Sequence, residues 1–229
     1  MAYPQLEDLA GAPREEVLRA SPRMFESKLL DKVSRDHPSV PLFIFVPAIV
    51  VFAWAGFARL AVPETIALIA GGYLFWTLTE YWLHRLVFHF EPEGRFGARL
   101  HWIIHGVHHD HPNDPMRLVM PPSLSVPLSA VFFGLFVLVV GIPAAFPIAT
   151  GFFAGYLFYD MMHYHVHHHR PRTWVGRKLR ELHMRHHFQD HTRGFGSAPR
   201  SGTTCSGRRP AAARARPRPS DQRSSATWG

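Results

Sequence analysis

The chain has a single cysteine, Cys205, in 229 residues. A lone thiol excludes an intrachain disulfide framework, and it excludes an iron–sulfur cluster held by the chain's own cysteines. Residues 1–40 are polar and mixed in charge, so no secretory signal stands at the N-terminus. There is no flavin fingerprint and no haem-binding domain, so any redox chemistry must draw its electrons from outside. Basic residues are in excess, at a formal net charge of +8, but the excess is local. Residues 197–229 hold seven arginines (Arg200, Arg208, Arg209, Arg214, Arg216, Arg218, Arg223) and one acid, Asp221, which is +6 and leaves +2 for the rest. A nucleic-acid partner would rest on that tail alone, and none is expected.

What the chain does have is histidine. Of 17, only His37 lies outside residues 84–191. Packing does not explain such a crowd, whereas imidazole is the commonest metal ligand. A helix turns about 100° per residue, so i, i+3 and i+4 share a face. His105, His108 and His109 converge on one helix, and His183, His186 and His187 repeat the spacing on another. His163 and His167 are one turn apart on a third. His84 and His89 are five apart and diverge on an ideal helix, so the helix should end or distort there; Glu91-Pro-Glu-Gly94 follows at once. These ten nitrogens suffice for two metal ions with four to six ligands each. The competing readings are a histidine-rich surface or one structural zinc. His101, His111, His165, His168, His169 and His191 remain as neighbours. Asp110, Asp160 and Asp190 are candidate orienting acids, and Tyr164 can stand near the metals or simply pack.

Long apolar runs flank the histidines. They predict an all-α integral membrane protein with four transmembrane helices in two hairpins, spanning about 41–60, 64–83, 124–141 and 143–160. The helical di-metal cap comprises 84–120 and 161–196. The hairpin links carry only Arg59 and Glu64. The other Lys and Arg residues before the tail lie in 1–40, 84–120 and 161–196, which places the cap on the cytoplasmic side. The setting is a multi-pass protein of a bacterial inner membrane or the endoplasmic reticulum. Residues 1–40 read as a membrane-surface leader, with a short amphipathic helix around 22–31. A soluble all-α protein would need an unusually apolar core for this length.

Ligand type alone leaves iron, zinc and copper open. No Glu-x-x-His pair, the signature of soluble di-iron bundles, occurs in the clusters. A metal cap above a membrane anchor faces lipid tails, and their unreactive C–H bonds call for oxygen chemistry at redox-active iron rather than hydrolysis at zinc. A non-catalytic membrane metal-binding or transport protein is the reading from another class. It would place ionisable residues near mid-membrane, where few are found here.

Over about residues 21–196 the sequence resembles the membrane-bound fatty acid hydroxylase/sterol desaturase superfamily, most closely the fatty acid 2-hydroxylases. The resemblance is carried by Ser21-Pro-Arg-Met-Phe-Glu-Ser27, His84-x4-His89, His105-x2-His108-His109, Asn113-Asp-Pro-Met-Arg117 through Pro122, Tyr159-Asp160-x2-His163-Tyr164-x2-His167-His168 and His183-x2-His186-His187. It implies an O2-dependent di-metal oxidoreductase, with iron as the functional metal and zinc an occupant of purified samples. It would hydroxylate a long acyl chain, as free acid, thioester or ceramide, at the carbon beside the carbonyl. The ten ligands implied are His84, His89, His105, His108, His109, His163, His167, His183, His186 and His187. Hydroxylation or desaturation of sterols or carotenoids is the alternative within the superfamily. Some eukaryotic relatives carry an N-terminal cytochrome-b5-type domain, for which this chain starts too late. A cytochrome-b5-type or ferredoxin-like external donor is therefore expected.

The family-like pattern stops at Gly194-Phe-Gly196. Residues 197–229 follow as a tail of Ala, Arg, Pro and Ser that should be disordered. Relatives usually continue with a hydrophobic, Trp-Asp-containing segment. One permitted back-translation of 197–210, shifted by one nucleotide, reads Val-Ser-Ser-Ala-Leu-Trp-Asp-Tyr-Leu-Phe-Gly-Thr-Thr-Pro. The tail is thus either the product of a frameshift or a basic segment that binds anionic lipid heads.

Overall fold

A computed structural model describes residues 7–90 and 92–189. The tail from 197 and the candidates Asp190 and His191 lie outside the described residues. Among these residues there are helices and no strands. In order they are α1 (Arg14–Arg19), α2 (Lys28–Val33), α3 (Val40–Phe57), α4 (Val62–Leu83), α5 (Gly94–His101), α6 (Val107–Asp110), α7 (Pro122–Val140), α8 (Ala145–His168) and α9 (Trp174–Phe188). Two π-helical turns join them, His84–Phe88 directly after α4 and Trp102–Gly106 between α5 and α6.

Local chemistry sets the ends. Pro41, Pro63 and Pro122 stand in the first turns of α3, α4 and α7, where a missing N–H costs nothing. Gly141, at φ 70°, closes α7 in a backbone conformation that other residues resist. Thr173 caps α9 by accepting the Gly176 N–H at 3.1 Å.

α8 is the hub. It packs along α4 and α3 and beside α7, whereas α3 and α4 meet only briefly despite their short link. The core is aromatic and centred on α8. Trp76 meets Phe152 edge-on at 5.1 Å, and Phe45 meets Tyr156 at 4.8 Å. The outward faces are apolar too: Phe43, Trp54, Leu74, Leu138 and Val139 are all more than 60% exposed. α3 and α7 are long and apolar enough to cross a membrane, and only 22% and 11% of their apolar windows are buried. α4 and α8 are longer but fall short in hydropathy. α8 also runs unbroken past residue 160 into the cap, so the fourth apolar run and the third histidine cluster share one rod.

The leader differs from a surface helix. Residues 21–26 are non-helical, and α2 begins only at Lys28, capped by Ser27. Asp31 is buried between Arg35 (3.1 Å) and Arg117 (2.8 Å) and accepts the Met24 N–H at 2.8 Å. Burial alone would raise the Asp31 pKa. The Met24 amide and the two guanidinium groups outweigh it and hold the carboxyl below its usual range. Arg35 and Arg117 also reach the Ser21 hydroxyl and the Pro22 carbonyl. The leader is therefore stitched to the loop before α7 by buried charge, with Leu29 and Leu30 of α2 left exposed.

Candidate metal centre

All ten histidines picked out by spacing come together at the cap end of α8. Five form one group: His108, His163, His167, His183 and His187. Four form a second: His84, His89, His105 and His186. Within each group the ring nitrogens lie within 4.8 Å of one another. His109 belongs to neither tight set and sits at the seam. It is 3.0 Å from His105 through Nε2, with ring centroids 4.4 Å from His187 and 5.1 Å from His89 and His186.

The π-helical turn after α4 explains the five-residue spacing. The His89 N–H donates to the His84 carbonyl at 3.3 Å, an i to i+5 bond. That widens the turn until the two rings stack at 5.0 Å. The second π turn carries His105 into the same cluster. α8 supplies His163 and His167 one turn apart, and α9 brings His183, His186 and His187 against them, with His183 4.7 Å from His163 and His187 4.7 Å from His167 between ring centroids.

The nitrogen geometry fits a cation. His84, His89 and His186 bring their Nε2 atoms into a triangle of 3.2, 3.3 and 2.9 Å. A neutral Nε2 either donates one hydrogen or offers one lone pair, so three cannot satisfy one another in a ring. Two imidazole nitrogens about 2.1 Å from a shared ion stand roughly 3.0–3.4 Å apart. In the five-histidine group His108–His163 (3.0 Å), His167–His183 (2.7 Å) and His183–His187 (3.1 Å) approach similarly. Burial, reinforced by the neighbouring histidines, holds His84, His105, His108 and His183 well below the ordinary imidazole pKa and pushes His163 down to about 3. These five rings are neutral at pH 7 and present lone pairs.

The other candidates have different partners. Asp110 accepts from the Trp102 indole at 2.8 Å. Asp160 accepts from the Met120 N–H at 3.3 Å and the Tyr156 hydroxyl at 3.4 Å. The Tyr159 hydroxyl lies 3.5 Å from His84 Nδ1. His111 donates through Nδ1 to the Val17 carbonyl at 2.6 Å and so ties α1 to the cap. His101 donates likewise to Phe90 at 3.2 Å. Tyr164 packs against His168 with ring centroids 4.4 Å apart and the planes tilted by 31°. Sequence reasoning missed Tyr159 as a partner and Glu80 as a buried acid. The signal was there in the second case, because Glu80 and His84 are four apart and share a face.

Two cavities run from the histidines toward the bundle. One, of about 380 Å³, is lined by His105, His108 and His163 together with Met24, Leu30 and Arg117. The next, of about 300 Å³, lies among Trp76, Glu80, Leu128, Phe132, Phe152 and Tyr156. They share Phe88, Ile104, Met120, Leu124, Tyr159 and Asp160, so they adjoin, and together they make an apolar corridor of ligand-binding size with these side chains at the junction.

A helical bundle with exposed apolar faces, crowned by an all-histidine centre over an apolar corridor, defines a membrane-type oxidoreductase scaffold. The chain belongs to the fatty acid hydroxylase family, whose model matches residues 69–201. It is 34% identical to the dihydroceramide fatty acyl 2-hydroxylase FAH2 of Arabidopsis thaliana, over 76% of this chain and 74% of the relative. It is 40% identical to the ceramide very long chain fatty acid hydroxylase SCS7 of Saccharomyces cerevisiae, over 55% and 33% of the two chains. To the fatty acid 2-hydroxylase of Rattus norvegicus it is 35% identical, over 76% of this chain and 53% of that one. The chain thus spans about half the length of the rat relative and a third of the yeast one. Among solved structures, full-length Scs7p with only its hydroxylase domain visible superposes with a TM-score of 0.71 at 32% identity, covering 75% of this chain and 66% of that one.

Proposed function

We propose that the protein is an O2-dependent fatty acid 2-hydroxylase. It converts the carbon next to the carbonyl of a long acyl chain, in a free acid, thioester or ceramide, and serves lipid or sphingolipid metabolism. The observation that carries this reading is the junction of two histidine-only groups with an apolar corridor that starts at His105, His108 and His163. The balanced reaction is R–H + O2 + 2e⁻ + 2H⁺ → R–OH + H2O, so an external electron donor is needed.

The ten histidines would hold two iron ions, His108, His163, His167, His183 and His187 around one and His84, His89, His105 and His186 around the other, with His109 between. When bound, the iron pair supplies the O2 activation that an unreactive C–H bond demands. The protein's own part is positional. Burial keeps the imidazoles neutral, and the Tyr159 hydroxyl lies beside the His84 ring. The corridor takes the tail among aromatic side chains and excludes water, which leaves the carbonyl end beside the histidines.

In the membrane, α3, α4, α7 and α8 form four spans, and the cap faces the cytoplasm. The exposed apolar faces of α3, α4 and α7 support this, as does the concentration of Lys and Arg in the cap and leader. From about residue 197 the sequence arises from a frameshift, and resequencing around codon 196 tests that: a clean read with no compensating frame ends the idea. The function is tested by lipid analysis of cells with and without the gene. 2-Hydroxy acyl chains should appear only with it, and no change in them would remove the assignment.

A further inference from the structure

The histidine centre has a second approach. A cleft of about 490 Å³, which shares no lining residue with the corridor, is lined by Arg19, Arg170 and Arg180 around His167 and His168. His167 belongs to the five-histidine group, so the cleft floor is part of the centre itself. Eight residues of α8 separate His168 from Asp160, about 12 Å along the axis at 1.5 Å per residue. Under the four-span arrangement the headgroups lie near Asp160, so the cleft opens away from lipid.

Charge is concentrated in the segment that supplies two of the three cleft arginines, Arg170 and Arg180. Residues 170–185 carry Arg170, Arg172, Arg177, Lys178, Arg180 and Arg185 against Glu181 alone, which is +6 − 1 = +5. The other half of the cap, 84–120, balances Arg85, Arg95, Arg99 and Arg117 against Glu91, Glu93, Asp110 and Asp114, for a net of zero. Arg19 and Arg170 are solvent-exposed. A one-signed patch beside a reactive centre steers an oppositely charged partner.

We propose that this cleft is the docking site of an acidic, soluble one-electron carrier protein, which delivers the two electrons of each turnover at the His167 edge. The proposal rests on the oxygenase reading above. Substrate and electrons then reach the histidines by separate openings: the acyl chain from the bundle through the corridor, and the carrier from the cytoplasm through the arginine-lined cleft. Two carrier encounters supply 2e⁻, and the carrier is oxidised once in each.

The test uses the full chain in nanodiscs of neutral phosphatidylcholine and two acidic probes, a soluble cytochrome-b5 haem domain and a plant-type [2Fe–2S] ferredoxin. Association is followed by biolayer interferometry at low and high salt. At least one probe should bind. The double variant Arg19→Glu/Arg170→Glu should slow its association at least tenfold at low salt, with the difference shrinking at high salt, while Arg170→Lys binds as wild type. Unchanged metal content and melting temperature would show that the double variant is folded. Binding of neither probe, or equal binding by wild type and double variant, overturns the docking site. A shift to phosphatidylserine dependence, with the variant weakening lipid rather than carrier binding, assigns the face to headgroups and also overturns it. The oxygenase reading is checked apart from this, on wild type with dithionite as reductant: product there together with unaltered carrier binding in the variant fails the docking site alone.

Discussion

Replacing Gly151 by alanine should separate α4 from α8 and empty half of the centre. The two helices touch backbone to backbone. A Cβ on Gly151 would stand 1.9 Å from the Ile69 carbonyl oxygen and 2.7 Å from the Tyr73 nitrogen, and one on Gly72 would stand 2.1 Å from the Ile148 oxygen. Ordinary contact begins near 3.4 Å, so the helices must part by roughly 1.5 Å at Gly151. α4 delivers His84 and His89 to the centre, and α8 delivers His163 and His167. A metal site tolerates about 0.2 Å in its ligand distances, so a displacement several times larger breaks it. The overpacking costs about 1–3 kcal/mol, so the chain should still insert and fold. Metal per protein, measured by plasma mass spectrometry on the detergent-purified chain, should fall toward half. Product formation should drop on the order of a hundredfold, as a misplacement of about 1 Å does elsewhere. Gly134→Ala on α7 is the control, since nothing lies within 4 Å of its would-be Cβ. Wild-type metal content and activity in Gly151→Ala would refute the claim that this close approach sets the histidine geometry.

Three further outcomes follow from the same structure. His108→Ala and His186→Ala should each abolish product formation and lower bound metal while membrane insertion persists; His37→Ala, which sits beside Ser39 far from the cluster in sequence, should change neither. Full activity in either of the first two would remove that residue from the ligand set. Asp31→Ala strands Arg35 and Arg117, whose side chains are 3% exposed, and should cost about 3–5 kcal/mol; a wild-type unfolding midpoint would show that the leader is not held by charge. The metal-free protein should lose stability on acidification. His163 stays neutral in the fold down to about 3 whereas the unfolded imidazole protonates near 6.5, so its contribution is intact above pH 6.5 and falls by about 1.4 kcal/mol per unit below it. An unfolding midpoint that is flat between pH 8 and 5 would contradict this.

The histidine clusters were legible because their convergence is local. Spacings of three and four residues on a helix place side chains near one another whatever the helix packs against; His163 and His167 obey that rule unaided, whereas His105 lies in a π turn and is parted from His108, and His186 from His183 and His187, between the two groups. The remaining pair, His84 and His89, was legible only as a distortion. Which distortion could not be read, since a π turn and a broken helix leave the same five-residue gap. The bounds of the leader's helix, Lys28–Val33 rather than about 22–31, were hidden for a related reason. Asp31, Arg35 and the polar residues around them look like a solvated face, and only the arrival of Arg117 from 86 positions away turns them into a buried clasp. The pairing of helices was equally hidden. The apolar runs of α3, α4, α7 and α8 have hydrophobic side chains on all sides, so periodicity cannot say which face meets which neighbour. Gly72 and Gly151 read as ordinary small residues until the partner backbone is placed against them.

That division bears on function. The donor set comes from local spacing, but the distance between its halves is set where α4 and α8 touch, and the corridor is lined by Tyr159 and Glu80, which no spacing rule had singled out together. A close copy of the histidine motifs on helices that packed differently would keep all ten nitrogens and still not gather them into two groups. What makes the cluster a candidate di-metal centre is therefore the α4–α8 contact well below it, and variants at that contact should separate metal retention from mere possession of the ligands.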